Sequence, residues 1–178
     1  MDIKSKTDSE ILYEEIQHFR QWWIILLFVL TDVLMLFALW QQLVLKVPFG
    51  NKPASDPVLV FISIVVLLLS VFVIFFTRLE TKVNSDGIYI RFIPFIFKER
   101  YYSWAEIKEC YVRKYSPITE YGGWGIRFGI GGSGKAYNVS GNMGLQIEFL
   151  VGKKLLIGTK KPEELQTTIS KVFNKPVA

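Results

Sequence analysis

Two apolar stretches decide how this chain folds: WWIILLFVLTDVLMLFALWQQLVL at residues 22–45 and VLVFISIVVLLLSVFVIFF at residues 58–76. The second contains no charged residue, and the first contains only Asp32. A helix rises about 1.5 Å per residue, so nineteen residues span roughly 28 Å, close to the hydrocarbon thickness of a bilayer. The short loop between the stretches predicts a two-helix membrane hairpin over residues 22–77, with helices at 22–45 and 57–77.

The residues before the hairpin carry a helical pattern. Thr7 to Glu10 matches a capping box, in which a hydroxyl and a carboxylate satisfy the first backbone N–H groups of a helix. Leu12, Ile16 and Phe19 then recur at helical spacing. This pattern predicts a juxtamembrane amphipathic helix within residues 1–21.

The residues after the hairpin alternate between apolar and polar, as strands do. The turn residues 84–87 (NSDG) precede a clear alternation over 88–93, and later stretches predict six or seven antiparallel strands in all. Pro162, Leu165 and Ile169 then mark an amphipathic closing helix. This order predicts, for residues 78–178, a β-rich (α+β) pleckstrin-homology-like (PH-like) barrel capped by a C-terminal helix.

Three motifs in the second half carry a family resemblance: YSPITEYGGWGIR at 115–127, AYNVSG at 136–141 and LIGT at 156–159. With them, the chain resembles an uncharacterised family of small bacterial membrane proteins that join two transmembrane helices to a bacterial PH-like domain. The resemblance implies a PH-like fold and a place in the bacterial cell membrane. It implies no reaction.

The basic residues bear on orientation and on partners. Arg20, Arg78 and Lys82 flank the outer ends of the two spans, against Lys46 and Lys52 in the loop. Because basic residues stay on the cytoplasmic side, we expect both termini in the cytoplasm. The net charge of +5 is concentrated after residue 78, which favours at most a non-specific attraction to anionic lipid headgroups.

The composition argues against catalysis and cofactors. His18 and Cys110 are the only residues of their types, so we expect no Ser-His-Asp triad and no cysteine-built metal site. The stretch GIGGSGK at 129–135 has the spacing of a phosphate loop, but the following residues are typical of a strand rather than the helix that such a loop requires. We therefore expect a glycine-rich hairpin turn, no enzyme, no cofactor, no metal and no nucleic-acid partner.

The densest candidate surface lies within residues 120–127 and comprises Glu120, Tyr121, Trp124 and Arg127 among three glycines. One interpretation is a glycine-bent strand in which Trp124 caps the core and Glu120 pairs with Arg127. The other is a contact surface for a peptide, a partner subunit or a lipid headgroup. The glycines serve both, because they allow positive φ and close backbone approach.

Asp32 is a candidate intramembrane polar site, since a charge at mid-span is costly and is commonly functional. Ser63 and Ser70 are the polar groups that the second span offers it. The leading function is a membrane-anchored, non-enzymatic PH-like interaction or scaffold module, with a protein partner or self-association. The alternative is a transporter-accessory or ion-conducting element that uses Asp32.

Overall fold

The computed structural model describes residues 10–173, so the predicted cap at Thr7 lies outside the described residues. The chain divides into two compact units. Among the described residues, one unit is formed by residues 19–77, and the other combines residues 10–18 with residues 78–173.

The first unit is the helical hairpin. Helix α1 covers Trp22–Leu39 and continues as a π-helical turn, Trp40–Val44, while α2 covers Asp56–Phe76. Both are long and apolar enough to cross a membrane. The side chain of Gln42 holds the connecting loop, because its amide donates to Ala54 O at 2.8 Å and to Asp56 Oδ1 at 2.7 Å. The sequence placed both helices within about one residue of their observed ends.

The second unit begins with a four-stranded antiparallel sheet. Strands β1 (Ile11–His18), β2 (Arg78–Asn84), β3 (Gly87–Ile93) and β4 (Ile96–Ser103) lie side by side in chain order. The predicted turn at residues 84–87 is confirmed, since it joins β2 to β3. His18 lies opposite Arg78, and Arg78 lies opposite Ile93.

The helix predicted within residues 1–21 is wrong for Ile11–His18, which form β1. Tyr13, Glu15 and Gln17 point inwards and are buried, whereas Leu12 and Ile16 are exposed. Pairing with β2 along the strand satisfies the backbone groups that a helix would have satisfied internally. The domain predicted for residues 78–178 therefore also contains a strand from before the hairpin.

The remaining strands form a second sheet. They are β5 (Ile107–Lys114), β6 (Gly125–Phe128), β7 (Lys135–Asn138), β8 (Met143–Phe149) and β9 (Lys154–Gly158), in the spatial order β5-β8-β9-β7-β6. Strands β7 and β9 are parallel. The prediction of one barrel with six or seven antiparallel strands is therefore corrected: residues 10–173 contain nine strands in two sheets and no closed barrel.

The short helix α3 (Pro117–Tyr121) follows β5, and the predicted closing helix is present as α4 (Pro162–Val172). Leu165 and Ile169 on α4 are buried, and the helix contacts β1, β5 and β8. Strands β3, β8 and β9 contribute a set of fully buried aliphatic side chains to the core: Ile88, Ile90, Leu145, Ile147, Leu156 and Ile157.

Candidate functional site

The candidate surface lies in the segment between β5 and β8. Its first part is α3, which Gly122 ends in the left-handed conformation, with φ of 70°. Gly123 and Gly125 also have positive φ, which L side chains rarely adopt. The predicted positive φ values are confirmed, but Gly122 and Gly123 follow a helix and Gly125 begins β6, so the glycines do not bend a continuous strand.

Tyr121 is buried rather than available as a recognition residue, with only 2% of its surface exposed. Its ring packs edge-on against Tyr115, beside Ala136 and Leu156, and its hydroxyl donates to Ser133 O at 3.1 Å. Burial raises the pKa of Tyr115 to about 12. Tyr121 thus anchors α3 onto the second sheet.

Glu120 pairs with Arg113 on β5, not with Arg127 as the sequence suggested. Its carboxylate accepts from Arg113 Nη2 at 2.7 Å and from the Ser116 N–H at 2.7 Å. The hydrogen bond to Arg113 holds the pKa of Glu120 below its ordinary value, and the same bond raises the pKa of Arg113. Arg127 instead donates through Nε to Trp124 O at 2.9 Å.

Trp124 is half-buried, and its indole N–H donates to Gly141 O at 3.1 Å. The next residue, Gly125, donates its backbone N–H to Asn138 Oδ1 at 2.8 Å, and Asn138 Nδ2 donates to the Tyr115 hydroxyl. The Trp124 ring is therefore held by a hydrogen bond at its edge and is partly exposed to solvent.

A polar cavity of about 300 Å³ lies beside this segment. The sequence did not single out its wall, which consists of Tyr111, Arg113, Gly131, Gly132, Ser133, Gln146, Glu148 and Lys154. Four of these residues alternate along one face of their strands, Tyr111 and Arg113 on β5 and Gln146 and Glu148 on β8, so the period-two pattern was a signal that could have found those four. The pattern could not predict which strands are neighbours in the sheet.

The charged groups of the cavity are already paired. Arg113 donates through Nε to Gln146 Oε1 at 3.0 Å as well as to Glu120, and Lys154 Nζ lies 2.7 Å from Glu148 Oε1. Gln146 is buried, so this network is held in place. The arrangement can hold a polar group by hydrogen bonds and by contact with the exposed Tyr111 ring.

The glycine-rich residues 129–135 form the turn between β6 and β7, which confirms the predicted hairpin turn. Lys135 begins a strand, not a helix. Gly134 has φ of 79°, and a Cβ there would lie 2.2 Å from Lys154 O. The glycine is therefore needed for close approach of two backbones rather than for phosphate binding.

Residues 10–173 offer little for a metal site or for a cysteine nucleophile. No three His, Cys, Asp or Glu side chains group there as they would around a metal ion. Burial raises the pKa of the Cys110 thiol, which disfavours the thiolate needed of a nucleophile.

In the helical hairpin, Asp32 meets one of the two predicted serines. Ser70 Oγ lies 3.2 Å from Asp32 Oδ1 and 3.0 Å from Val66 O. Ser63 instead donates to Leu59 O within its own helix at 2.8 Å. The Asp32–Ser70 contact joins α1 to α2.

These observations define a class of protein in which an apolar helical hairpin interrupts a two-sheet α+β unit. The chain belongs to the family of unknown function DUF6141, whose model matches residues 4–174. No curated protein and no solved structure matches the chain.

Proposed function

We propose that this protein is a membrane-anchored, non-enzymatic interaction or scaffold module with a PH-like fold. The observation that carries the proposal is the placement of the hairpin between β1 and β2, two strands that pair directly. Within the most apolar window of each helix, only 6% and 17% of residues are buried. An apolar surface of this length matches the hydrocarbon core of a bilayer, which would cover it.

The PH-like assignment is supported by the succession of antiparallel strands and by the last helix. That helix closes the unit by burying Leu165 and Ile169. Fold alone does not specify an activity, so the interaction role rests on the second sheet.

The interaction role is supported by the segment that carries Trp124 and by the adjoining polar cavity. Ion pairing would contribute little to the binding of a partner there, because Arg113 and Lys154 already pair with carboxylates of the chain itself. Hydrogen bonds and ring contacts suit a protein surface, either another protein or a second copy. Anionic headgroups would add only non-specific attraction to the basic chain.

The proposed location is the bacterial cell membrane, with both termini in the cytoplasm. Arg20, Arg78 and Lys82 support this orientation. A protease-protection assay on intact cells and inverted vesicles tests it with a tag placed after residue 178. Digestion of the tag from the outside of intact cells would overturn the orientation.

The anchoring and the interaction are tested on the full chain in native membranes. Alkaline carbonate should leave the protein in the pellet, and detergent should release it. A photocrosslinking residue at Arg127 or Tyr111 should give a discrete crosslinked species that the same residue at exposed Thr167 on α4 does not. Carbonate release would contradict the anchor, and identical patterns at all three positions would contradict the interaction surface.

A second candidate function is an ion-conducting or transporter-accessory element, favoured by the contact between Asp32 and Ser70. Asp32→Asn keeps the size and the hydrogen bond but removes the ionisable group. In this case the variant should lose ion flux into proteoliposomes, while Ser63→Ala should not. Flux that is equal in wild type and Asp32→Asn would exclude this function.

A further inference from the structure

One end of the first sheet carries both connections to the helical hairpin. Strand β1 ends there at His18 and β2 begins there at Arg78, which is two residues after the end of α2 at Phe76. Ile93, the last residue of β3, lies opposite Arg78. The turn between β3 and β4 therefore belongs to the same sheet end.

This turn presents two large aromatic rings to solvent. We name residues 94–97 (PFIF) the aromatic tip; Phe95 is 69% exposed and Phe97 is 71% exposed. The Phe95 ring also approaches the buried Phe92 ring, with centroids 6.1 Å apart, so the tip is tied to the core. Neighbouring exposed aromatic side chains commonly mark a binding surface.

The charge around the tip is mainly positive. Near the tip, Arg78 and Arg91 share the carboxylate of Glu80 as their partner. Lys98 and Arg100 flank Glu99 on β4. Lys98 and Arg100 are exposed on β4, directly after the tip. Aromatic rings beside cations are the combination that favours the headgroup region of an anionic bilayer.

The opposite end of the same sheet provides an internal comparison. There, Ser103 pairs with Gly87, and the chain continues to Glu106, whose carbonyl accepts the N–H of Leu150 at 3.0 Å. The adjoining turn exposes Val151, at 78%. The seven residues of β3 separate the two sheet ends by about 20 Å.

We propose that the aromatic tip inserts Phe95 and Phe97 into the headgroup–acyl boundary of the bilayer that holds the hairpin. The inference rests on the membrane anchoring of the proposed function. Two covalent connections keep this sheet end beside the bilayer surface, and insertion removes both rings from water. The tip thereby adds a third attachment, which limits rotation of the two-sheet unit about its connections.

The experiment uses single-cysteine variants of the full chain in a Cys110→Ala background. Phe95→Cys tests the tip, Val151→Cys is the matched control at the other sheet end, and Leu68→Cys reports insertion of α2. Each carries an environment-sensitive fluorophore. The proteins are reconstituted in phosphatidylcholine–phosphatidylglycerol vesicles, with and without lipids brominated near the headgroup or deep in the chains.

The fluorophore at residue 95 should emit at shorter wavelength than that at 151 and should be quenched by shallow bromines. The fluorophore at 68 should be quenched by deep bromines. Equal, unquenched emission at 95 and 151 with quenching at 68 would overturn the tip while leaving the anchor intact. A loss of quenching at 68 would overturn the anchor itself.

A blue shift at 95 without bromine quenching would place the tip in a protein contact and would also overturn the proposal. If the Cys110→Ala background fails to fold, Phe97→Cys in the native background replaces it. Burial raises the pKa of Cys110, so the exposed thiol reacts first. The same pattern of shift and quenching is then required at residue 97.

Discussion

Two insertions interrupt the two-sheet unit between paired strands, but they differ in whether their apolar side chains are buried within the protein. The hairpin insertion (residues 20–76) separates β1 from β2, and the short insertion (residues 116–141) separates β5 from β8. Each is closed by one backbone hydrogen bond: Phe19 N–H to Thr77 O at 3.3 Å, and Tyr115 N–H to Asn142 O at 2.8 Å. Each closing pair resembles the base of a two-residue β-hairpin.

The difference lies in where each insertion places its apolar side chains. The short insertion buries Tyr121, Ala136 and Tyr137 within the protein. The hairpin insertion leaves Phe61 and Leu68 more than 60% exposed. The short insertion adds β6 and β7 to the second sheet and is therefore part of the fold. The hairpin insertion exposes many apolar groups, and both of its helices are long and apolar enough to cross a membrane.

The strongest test of this comparison removes each insertion in turn and joins the closing pair by Asn-Gly, a turn suited to two-residue hairpins. Without residues 20–76, the remaining chain should be soluble without detergent and should melt cooperatively. Without residues 116–141, it should fail to fold, because each large buried side chain removed costs about 2–5 kcal/mol against a total stability of about 5–15 kcal/mol. Circular dichroism and thermal melting measure both outcomes.

The wild-type chain in detergent is the control for both deletions. Aggregation of the first variant would show that the hairpin supports the two-sheet unit directly. Cooperative melting of the second would show that the short insertion is an accessory to the sheet, and would favour a purely binding role for it.

The hairpin insertion was also the part of the fold most readable from sequence. The two long runs contain Asp32 as their only charged residue, so the helix ends were predicted closely from the limits of the runs. Strand β1 was missed because its inner face is polar: Tyr13, Glu15 and Gln17 take core positions. Their partners lie more than 140 residues away, beyond any local pattern.

The candidate site was predictable only in its local features. The positive φ values of Gly122, Gly123 and Gly125 follow from glycine itself. The ion-pair partner of Glu120 could not be predicted in this way, because Arg113 comes within reach only when α3 folds back onto β5. The polar cavity likewise depends on strand order, which places β8 between β5 and β9.

Glu15→Ala tests whether β1 is integral to the two-sheet unit. The Glu15 carboxylate is 6% exposed and accepts from the Tyr13 hydroxyl, the Thr159 hydroxyl and the Lys160 N–H, at 2.5, 2.7 and 2.8 Å. Leaving these donors unsatisfied should cost about 2–4 kcal/mol. Thermal melting of the full chain and hydrogen exchange of the β1 amides measure the loss.

The matched control is Glu14→Ala on the exposed face of the same strand, where the carboxylate lies 3.3 Å from Lys82 Nζ. An exposed pair of this kind contributes about 0–1 kcal/mol. Equal effects of the two substitutions would mean that β1 is held only by its backbone ladder.

Trp124→Ala tests whether the short insertion is packing or a binding surface. The ring is half-buried and its N–H is bonded to Gly141 O, so its loss should cost about 1–3 kcal/mol, less than that of fully buried Tyr121. Melting of Trp124→Ala and Tyr121→Ala measures the two costs. An unchanged melting temperature for Trp124→Ala together with lost crosslinks at Arg127 would identify Trp124 as a recognition residue.

The smallest expected effect concerns the ion pair that ties the short insertion to its sheet. Arg113 holds the pKa of Glu120 below its ordinary value of 4.5, so the folded state binds this proton less readily than the unfolded state. The stabilisation is therefore present above pH 4.5 and is lost as the pH falls through the lower folded-state pKa. Because the pair is partly exposed, Glu120→Gln should cost about 0.2–1 kcal/mol at pH 7.

Melting temperatures of wild type and Glu120→Gln should be measured between pH 7 and pH 3. They should converge below pH 4.5, because the Glu120 carboxylate of the wild type then becomes protonated and loses its charge, whereas the glutamine of the variant does not titrate. Glu109→Gln is the control, since Glu109 forms an exposed pair with Lys108 at 3.4 Å on the same strand as Arg113. A difference for Glu120→Gln that stays constant with pH would show that the hydrogen bonds of the side chain, rather than its charge, hold α3 on the sheet. Helix α3 would then be held by those hydrogen bonds and by the packing of Tyr121, without a contribution from charge.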